Sequence, residues 1–289
     1  MFVASLIARP GKLEPALIEA LRSAWGGHGV RWLSPGEAAE FSLPARPGDG
    51  CDVWTDLQAR DVDLVVQPAR GRRKKMLLAD MDSTMIGQEC IDELAEEAGV
   101  GAHVREITAR AMNGELDFES ALLARVKLLS GLPESVIDKV LAARITLAPG
   151  GVALVATMRT HGAYCTLVSG GFTAFTEQVA SMLGFDEHRA NRLLATDGRL
   201  VGDVARPILG RAAKVQALEE ITERLGITEQ DVIAVGDGAN DLGMLGRAGT
   251  GVALHAKPSV AAQCDIRIHH GDLTAPLYLQ GYGRDAFAP

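Results

Sequence analysis

Cysteine is sparse and scattered. Cys51, Cys90, Cys165 and Cys264 are the four in the chain, and no CxxC pair occurs. This excludes a disulfide framework and a spaced zinc site, and fits the reduced thiols of the cytoplasm. Long apolar runs are missing too. No stretch approaches the ~18 residues of a membrane helix, and the opening MFVASLIARPGK has neither the basic start nor the apolar length of a signal peptide. Positive charge is the minority: 29 Lys and Arg face 37 Asp and Glu, for a net charge of −8. That balance argues against a nucleic-acid backbone as the main partner, though a few local cations and a metal can still hold an anionic substrate. What is present is a hydrophobic fraction of 47% and 32 glycines over 289 residues. Such a chain predicts a soluble, cytoplasmic protein with a sizeable core, many tight turns and about two domains.

Roughly the first 70 residues read as a unit of their own. Val3 to Ala8 is strand-like, and Leu13, Leu17, Leu21 and Trp25 then recur at every fourth position, as one helix face does. Val30 to Leu33, Glu40 to Leu43 and Val62 to Val66 predict further short strands, giving a small α+β unit. RGRRKK, residues 70 to 75, reads as a solvated connector. Beyond it strand and helix alternate. Met76 to Ala79, Tyr164 to Val168, Asp231 to Val235 and Thr250 to Leu254 are buried-type strands. Gly151 to His161, Thr173 to Leu183 and Arg211 to Leu225 are helical, which predicts a doubly wound, mostly parallel α/β sheet. A hairpin over Asn191 to Val204 turns at Asp197-Gly198. Residues 88 to 147 contain only helical patterns (Ile91 to Ala98, His103 to Met112, Phe118 to Leu129, Glu134 to Ala143). Inserted after the first strand of the sheet, they predict a cap over its carboxyl edge.

Three strand ends carry the chemistry. Asp80 and Asp82 close the first strand, Ser169-Gly170-Gly171 closes the second, and VGDGANDLGML closes a later one. In a doubly wound sheet these tips converge on one crevice. Two acids side by side repel unless something positive lies between them. An aspartate is a competent nucleophile toward phosphorus, and an acid two residues on can protonate the leaving oxygen and later deprotonate water. Mg2+ takes hard oxygen ligands, and Asp80, the backbone carbonyl of Asp82 and Asp237 would supply them. Ser169 and the Gly170 amide can donate to phosphate oxygens, and Lys214 adds a point charge.

DxDST, a strand-end Ser-Gly-Gly, a lone lysine and GDGxND, in that order, resemble the haloacid-dehalogenase superfamily of phosphatases. GQECIDELAEEAGV, AMNGELDFESALLARV and SGGFTAFTEQVASMLGFDEHRANRL are similar to the phosphoserine phosphatases, over about residues 76 to 275. The resemblance implies an aspartyl-phosphate mechanism with Asp80 as nucleophile and Asp82 as acid and base. It implies that Glu89 meets the substrate ammonium and Arg125 its carboxylate. Met112 and Phe118 match apolar cap contacts, Asn240 a phosphate-side residue, and Asp241 a second acid near the metal. Met81 stands where the family often has Phe or Val. Residues 1–72 resemble, in pattern, the ACT-like extensions of longer members, leaving 73–289 as the catalytic domain.

The expected activity is Mg2+-dependent hydrolysis of O-phospho-L-serine, the last step of L-serine biosynthesis. The partner is then a small molecule, with no nucleic acid and no membrane, and a homodimer is compatible with such a chain. Two rivals stay open: a phosphotransferase of the same fold acting on homoserine, and an idle sensor that binds phosphoserine. On their own, Glu89 also fits a helix N-terminal acid and Arg125 an exposed helix cation. His269-His270 reads as a loop pair, since no third ligand lies at zinc spacing.

Overall fold

Met76, Leu77, Leu78 and Ala79 are wholly buried because their strand lies in the interior of a sheet covered on both faces. The computed structural model describes residues 1–289, except the side chain of Met112. The chain begins with β1 (Phe2–Ala8), α1 (Pro15–Ala24), β2 (His28–Ser34), β3 (Ala38–Leu43), α2 (Gly50–Gln58) and β4 (Val62–Pro68). These strands form an antiparallel sheet in the order β2-β3-β1-β4, the ferredoxin-like arrangement. Leu6, Ile18, Phe41 and Leu57 fill its separate core. The sequence reading omits α2. GCDVWTDLQ holds few good helix formers, and the helix persists by packing Leu57 inward.

β5 (Met76–Ala79) then opens the larger unit. The cap follows as α3 (Cys90–Glu97), α4 (Gly101–Met112), α5 (Phe118–Lys127) and α6 (Val136–Arg144). After it come α7 (Gly151–Thr160), β6 (Tyr164–Phe172), α8 (Thr173–Leu183), β7 (Glu187–Asn191), β8 (Leu193–Thr196), β9 (Arg199–Val204) and α9 (Arg211–Leu225). The chain finishes with β10 (Val232–Gly236), α10 (Leu242–Arg247), β11 (Thr250–Leu254), α11 (Pro258–Ala261), β12 (Ile266–Ile268) and α12 (Ala275–Leu279). The second sheet is parallel, ordered β12-β11-β10-β5-β6-β7. β5 sits at its centre, where the strand order reverses, which opens a crevice at its carboxyl end. No helix among the described residues is long and apolar enough to cross a membrane.

Two strands escape the sequence reading. β7 and β12 are short edge strands carrying Glu187, His188, Arg189 and Arg267, so neither shows an apolar run. Asn191 therefore ends β7, and the hairpin is β8–β9 alone. That hairpin braces the cap: Gly131 N donates to Leu200 O and Leu200 N to Leu132 O. The cap's two connections run side by side. Gly87 N donates to Thr146 O, Gln88 exchanges two hydrogen bonds with Thr146, and Ile86 bridges Leu147.

The segment 70–75 is not the solvated connector its charges predict. Arg72 is ion-paired with buried Glu40 at 2.7 Å, Arg73 lies over the Tyr282 ring, and Lys74 is buried. The two units are bonded along this seam. Asp63 accepts the backbone N–H groups of His269, His270 and Gly271, and Gln67 Nε2 donates to Leu279 O. Arg31 joins Arg72 on Glu40 and also donates to Gly281 O.

Burial alone would raise the Glu40 carboxyl, but Arg72 and Arg31 more than offset it and hold the group below its ordinary range. A depressed folded value means stabilisation that is present above the unfolded value, about 4.3, and lost as pH falls through the folded one. Glu40→Gln should therefore lower urea stability by roughly 1.5–3 kcal/mol at pH 7. The gap from wild type should narrow as the medium is acidified below about pH 4. A gap independent of pH would show that the carboxylate charge is not what holds the seam.

Candidate active site

Asp80 leaves the sheet directly behind β5, its N–H still pairing with Val235 O at 3.0 Å. Its carboxylate is 3% exposed and lies 2.6 Å from Lys214 Nζ. Lys214 sits in the first turn of α9, wholly buried, and reaches Asp241 at 2.5 Å as well. Asp241 Oδ2 in turn accepts the N–H groups of Asp237 and Gly238, so both its oxygens are taken. Gly236 is required here, because a Cβ would lie 2.5 Å from the Asp241 carboxyl. Asp237 accepts from Thr84 Oγ1 through Oδ1, and its buried Oδ2 has no partner.

Asp82 faces another way. Its Oδ1 accepts Cys90 N at 2.7 Å and its Oδ2 accepts Ser169 Oγ at 3.1 Å. Ser169-Gly170-Gly171 lies where the β6–β7 register breaks between Val168 and Phe172, which turns these groups out of the ladder. A Cβ on Gly171 would fall 2.6 Å from Asp82 Oδ2, and one on Gly170 2.8 Å from the Phe118 ring. Phe118 also presses on Gly210, just before α9, so the cap rests on glycines at two points.

From the cap side come Glu89 and Arg125. Glu89 accepts Ser83 Oγ at 2.6 Å. Arg125 is buried, donating Nε to Ala121 O and Nη1 to Thr108 Oγ1 at 2.9 Å, while Thr108 donates to Asp92 at 2.6 Å. Asp80, Asp82, Glu89, Phe118, Arg125, Ser169, Gly170 and Asn240 together line one small cavity of about 40 Å³. That is room for only a few waters. Lys214 and Asp237 stand behind this wall, and the Met112 side chain lies outside the described residues.

Thr84, Thr108, Asp92 and Asn191 are not flagged by the sequence. Asn191 donates to Gly170 O and Leu209 O and accepts Leu209 N, tying the Ser-Gly-Gly turn to the approach of α9. Thr84 closes the DxDST stretch and Asp92 and Asn191 lie in other stretches quoted above, but each of the four acts on residues distant in the chain, Thr84 on Asp237.

The electrostatics follow from counting charges. Asp80, Asp237 and Asp241 bring carboxylate oxygens within 4.8 Å of one another. One ammonium answers three acids. Burial first, and then the Asp241 charge, push Asp80 well above the ordinary carboxylate range and Asp237 up to about 7. Burial alone would lower Lys214, but Asp241 and Asp80 reverse that and raise it. Glu89 is raised by burial and by the neighbouring Asp82. With all three acids ionised the cluster would carry two negative charges more than Lys214 offsets, and it has hard oxygen donors and an unpartnered buried oxygen on Asp237. A divalent cation that prefers oxygen fits all three features.

The family profile described as haloacid dehalogenase-like hydrolase matches residues 77–246. A Streptomyces coelicolor phosphoserine phosphatase is 42% identical over 80% of this chain, which spans 57% of that protein's length. A probable phosphoserine phosphatase of Schizosaccharomyces pombe is 41% identical over 81% of this chain and 78% of its own. Among solved structures, a haloacid dehalogenase family hydrolase from Salmonella enterica serovar Typhi superposes with a TM-score of 0.86. It is 29% identical and the match covers 96% of this chain and 98% of that one.

If the acid cluster holds a divalent cation, the ion should stabilise the fold by mass action. Adding Mg2+ at a hundredfold excess over its Kd to chelated protein should raise stability by about 2.7 kcal/mol, seen as a higher Tm. Asp237→Asn should lose most of that rise. An unchanged Tm in wild type across the titration would exclude the cluster as a cation site.

Proposed function

The chain belongs to the haloacid dehalogenase-like hydrolases, and from that premise we propose that it is a phosphoserine phosphatase using Mg2+. The substrate would be O-phospho-L-serine and the products L-serine and phosphate. The observation that carries this reading is the composition of one small cavity. It has Asp80, Asp82 and Ser169 at the sheet end and Glu89 and Arg125 at the cap end. A phosphate-only enzyme would have no use for a half-buried acid and a buried guanidinium at the far end. An amino acid presents an ammonium and a carboxylate there, on one carbon. The names of the Streptomyces and Schizosaccharomyces relatives support the same substrate.

In this mechanism Asp80 attacks phosphorus, and the bond from phosphorus to the serine oxygen breaks. Asp82 gives that oxygen its proton, which releases serine and leaves the phosphoryl group on Asp80. Asp82 then takes a proton from water, the water oxygen attacks phosphorus, and the bond to Asp80 breaks. Lys214 has three donors, two of them spent on Asp80 and Asp241, and the third is free for a phosphoryl oxygen. Ser169 and the Gly170 amide donate to the same oxygens. Mg2+, held by Asp80, Asp237 and the Asp82 carbonyl, would offset the charge of the phosphoryl oxygens. Asp241, both oxygens occupied, orients Lys214. Arg125 takes the substrate carboxylate in a two-point grip and Glu89 takes the ammonium.

A cavity of about 40 Å³ cannot admit phosphoserine, so the cap must swing before binding and close before attack. Its paired connections at 86–88 and 146–147 are the natural pivot. The division into an ACT-like unit over 1–72 and a catalytic unit over 73–289, acting in the cytoplasm, accompanies this reading.

Two measurements decide it. Asp80→Asn should abolish phosphate release, and acid-quenched wild type should carry phosphate on Asp80; label on a serine or histidine would refute the chemistry. Arg125→Leu should cut kcat/KM for phosphoserine ten- to a hundredfold, from the loss of about 1.5–3 kcal/mol of charge-assisted bonding. Cleavage of p-nitrophenyl phosphate, which offers no carboxylate, should fall much less. Equal losses on both substrates would leave Arg125 structural and remove the basis for the substrate.

A further inference from the structure

We propose that the seam between the two sheets holds a second binding site, for a small molecule bearing two or more anionic groups. A cavity of about 560 Å³ lies there, far roomier than the catalytic one of about 40 Å³. It shares no residue with the catalytic cavity and lies at the other end of the parallel sheet. Its lining comes from residues that precede strands: Lys74 before β5, Gln230 before β10 and Asp265 before β12. The acids of the catalytic site follow strands instead: Asp80 and Asp82 come after β5 and Asp237 after β10. In parallel strands these are opposite edges.

The charge of this cavity runs against the charge of the chain. Arg46, Arg70, Arg72 and Lys74 line it, against the single acid Asp265. Arg72 is satisfied by Glu40. Arg46 and Arg70 form no ion pair among the described residues, whereas Arg144, Arg189, Arg224 and Arg247 are all paired. Lys74 is 9% exposed, and its ammonium, with three donors, reaches one acceptor, Gln230 O at 2.7 Å. A smaller adjoining cavity of about 150 Å³ shares Arg46 and Asp265 and adds Arg267. That guanidinium stacks 3.8 Å from the Trp54 ring centre, and its buried Nε has no partner.

A buried ammonium with spare donors is costly, and burial holds Lys74 below its ordinary range. Gathering guanidinium groups around it adds repulsion. One anionic charge would satisfy only part of this set, and two or more joined charges can span it. Guanidinium forks match phosphate and carboxylate equally well. Leu242, Leu245 and Ile266 on the floor give a carbon scaffold something to rest on. A nucleic-acid strand does not suit a recess bounded by both units in a chain of net charge −8.

The test is calorimetric titration of the whole chain, stripped of metal and then dialysed free of chelator, with pyrophosphate and, separately, citrate at low salt. At least one probe should bind with one-to-one stoichiometry and weaken as NaCl rises. Pyrophosphate binding alone assigns a phosphate ligand, citrate alone a carboxylate ligand, and both a site that counts charge. Arg46→Glu with Arg70→Glu should raise Kd at least tenfold while Tm and phosphatase activity stay unchanged, since both side chains are exposed. Arg267→Gln should weaken binding independently. Ser169→Ala should leave it intact. The proposal fails if neither probe binds, if the double reversal has no effect, or if Ser169→Ala removes binding and so places it in the catalytic cavity.

Discussion

Three buried carboxylates share one buried ammonium, and most of the catalytic unit is arranged around that shortfall. Lys214 must arrive from α9, Asp80 from β5, and Asp237 with Asp241 from the turn after β10. Bringing them together demands a parallel sheet with β5 at its centre, because only there do three carboxyl ends meet. It also demands glycine where the turns close on the acids, at Gly236 against Asp241 and at Gly171 against Asp82. Removing Lys214 would leave one further charge uncompensated in a low-dielectric interior, which is among the costlier defects a fold can carry. The same imbalance that makes the cluster expensive makes it receptive to a cation.

That the acids and the Ser-Gly-Gly turn meet at one edge of the sheet was legible because their signals are local. An apolar run ending in two acids, or in Ser-Gly-Gly, announces a strand and what stands at its tip within ten residues. The cap was legible for a related reason: helical periodicity without a strand over 88–147 can only be an insertion. What stayed hidden acts across the chain. Asn191 looks like an ordinary loop amide until β7 places it beside Gly170 and Leu209. Thr108 and Asp92 look like surface residues of two helices until they meet under Arg125. β7 and β12 were missed because edge strands tolerate charge.

Residues 70–75 give the sharpest contrast between composition and environment. Five cations in six positions suggest a solvated tether. In the structure, Glu40, the Tyr282 ring and the carbonyls of Leu279 and Gln230 supply partners from both units, and the tether becomes part of the seam. Charge predicts exposure only when nothing with the opposite charge or a free carbonyl lies within reach, and a sequence does not say what lies within reach. The seam is thus a polar joint, unlike the apolar cores on either side of it.

The paired connections of the cap have a consequence for how such a protein can change over time. Because Gly87 and Thr146 are hydrogen-bonded neighbours, everything between them hangs from the sheet by a neck two strands wide. The sheet needs only that the chain return to the point it left. Closing so long a loop costs little more than closing a short one, and the neck's own bonds set its geometry. A different insertion could be exchanged at the same neck while β5, β6 and the acid cluster kept their places. The inserted helices and the acid cluster at the sheet edge are therefore separately replaceable.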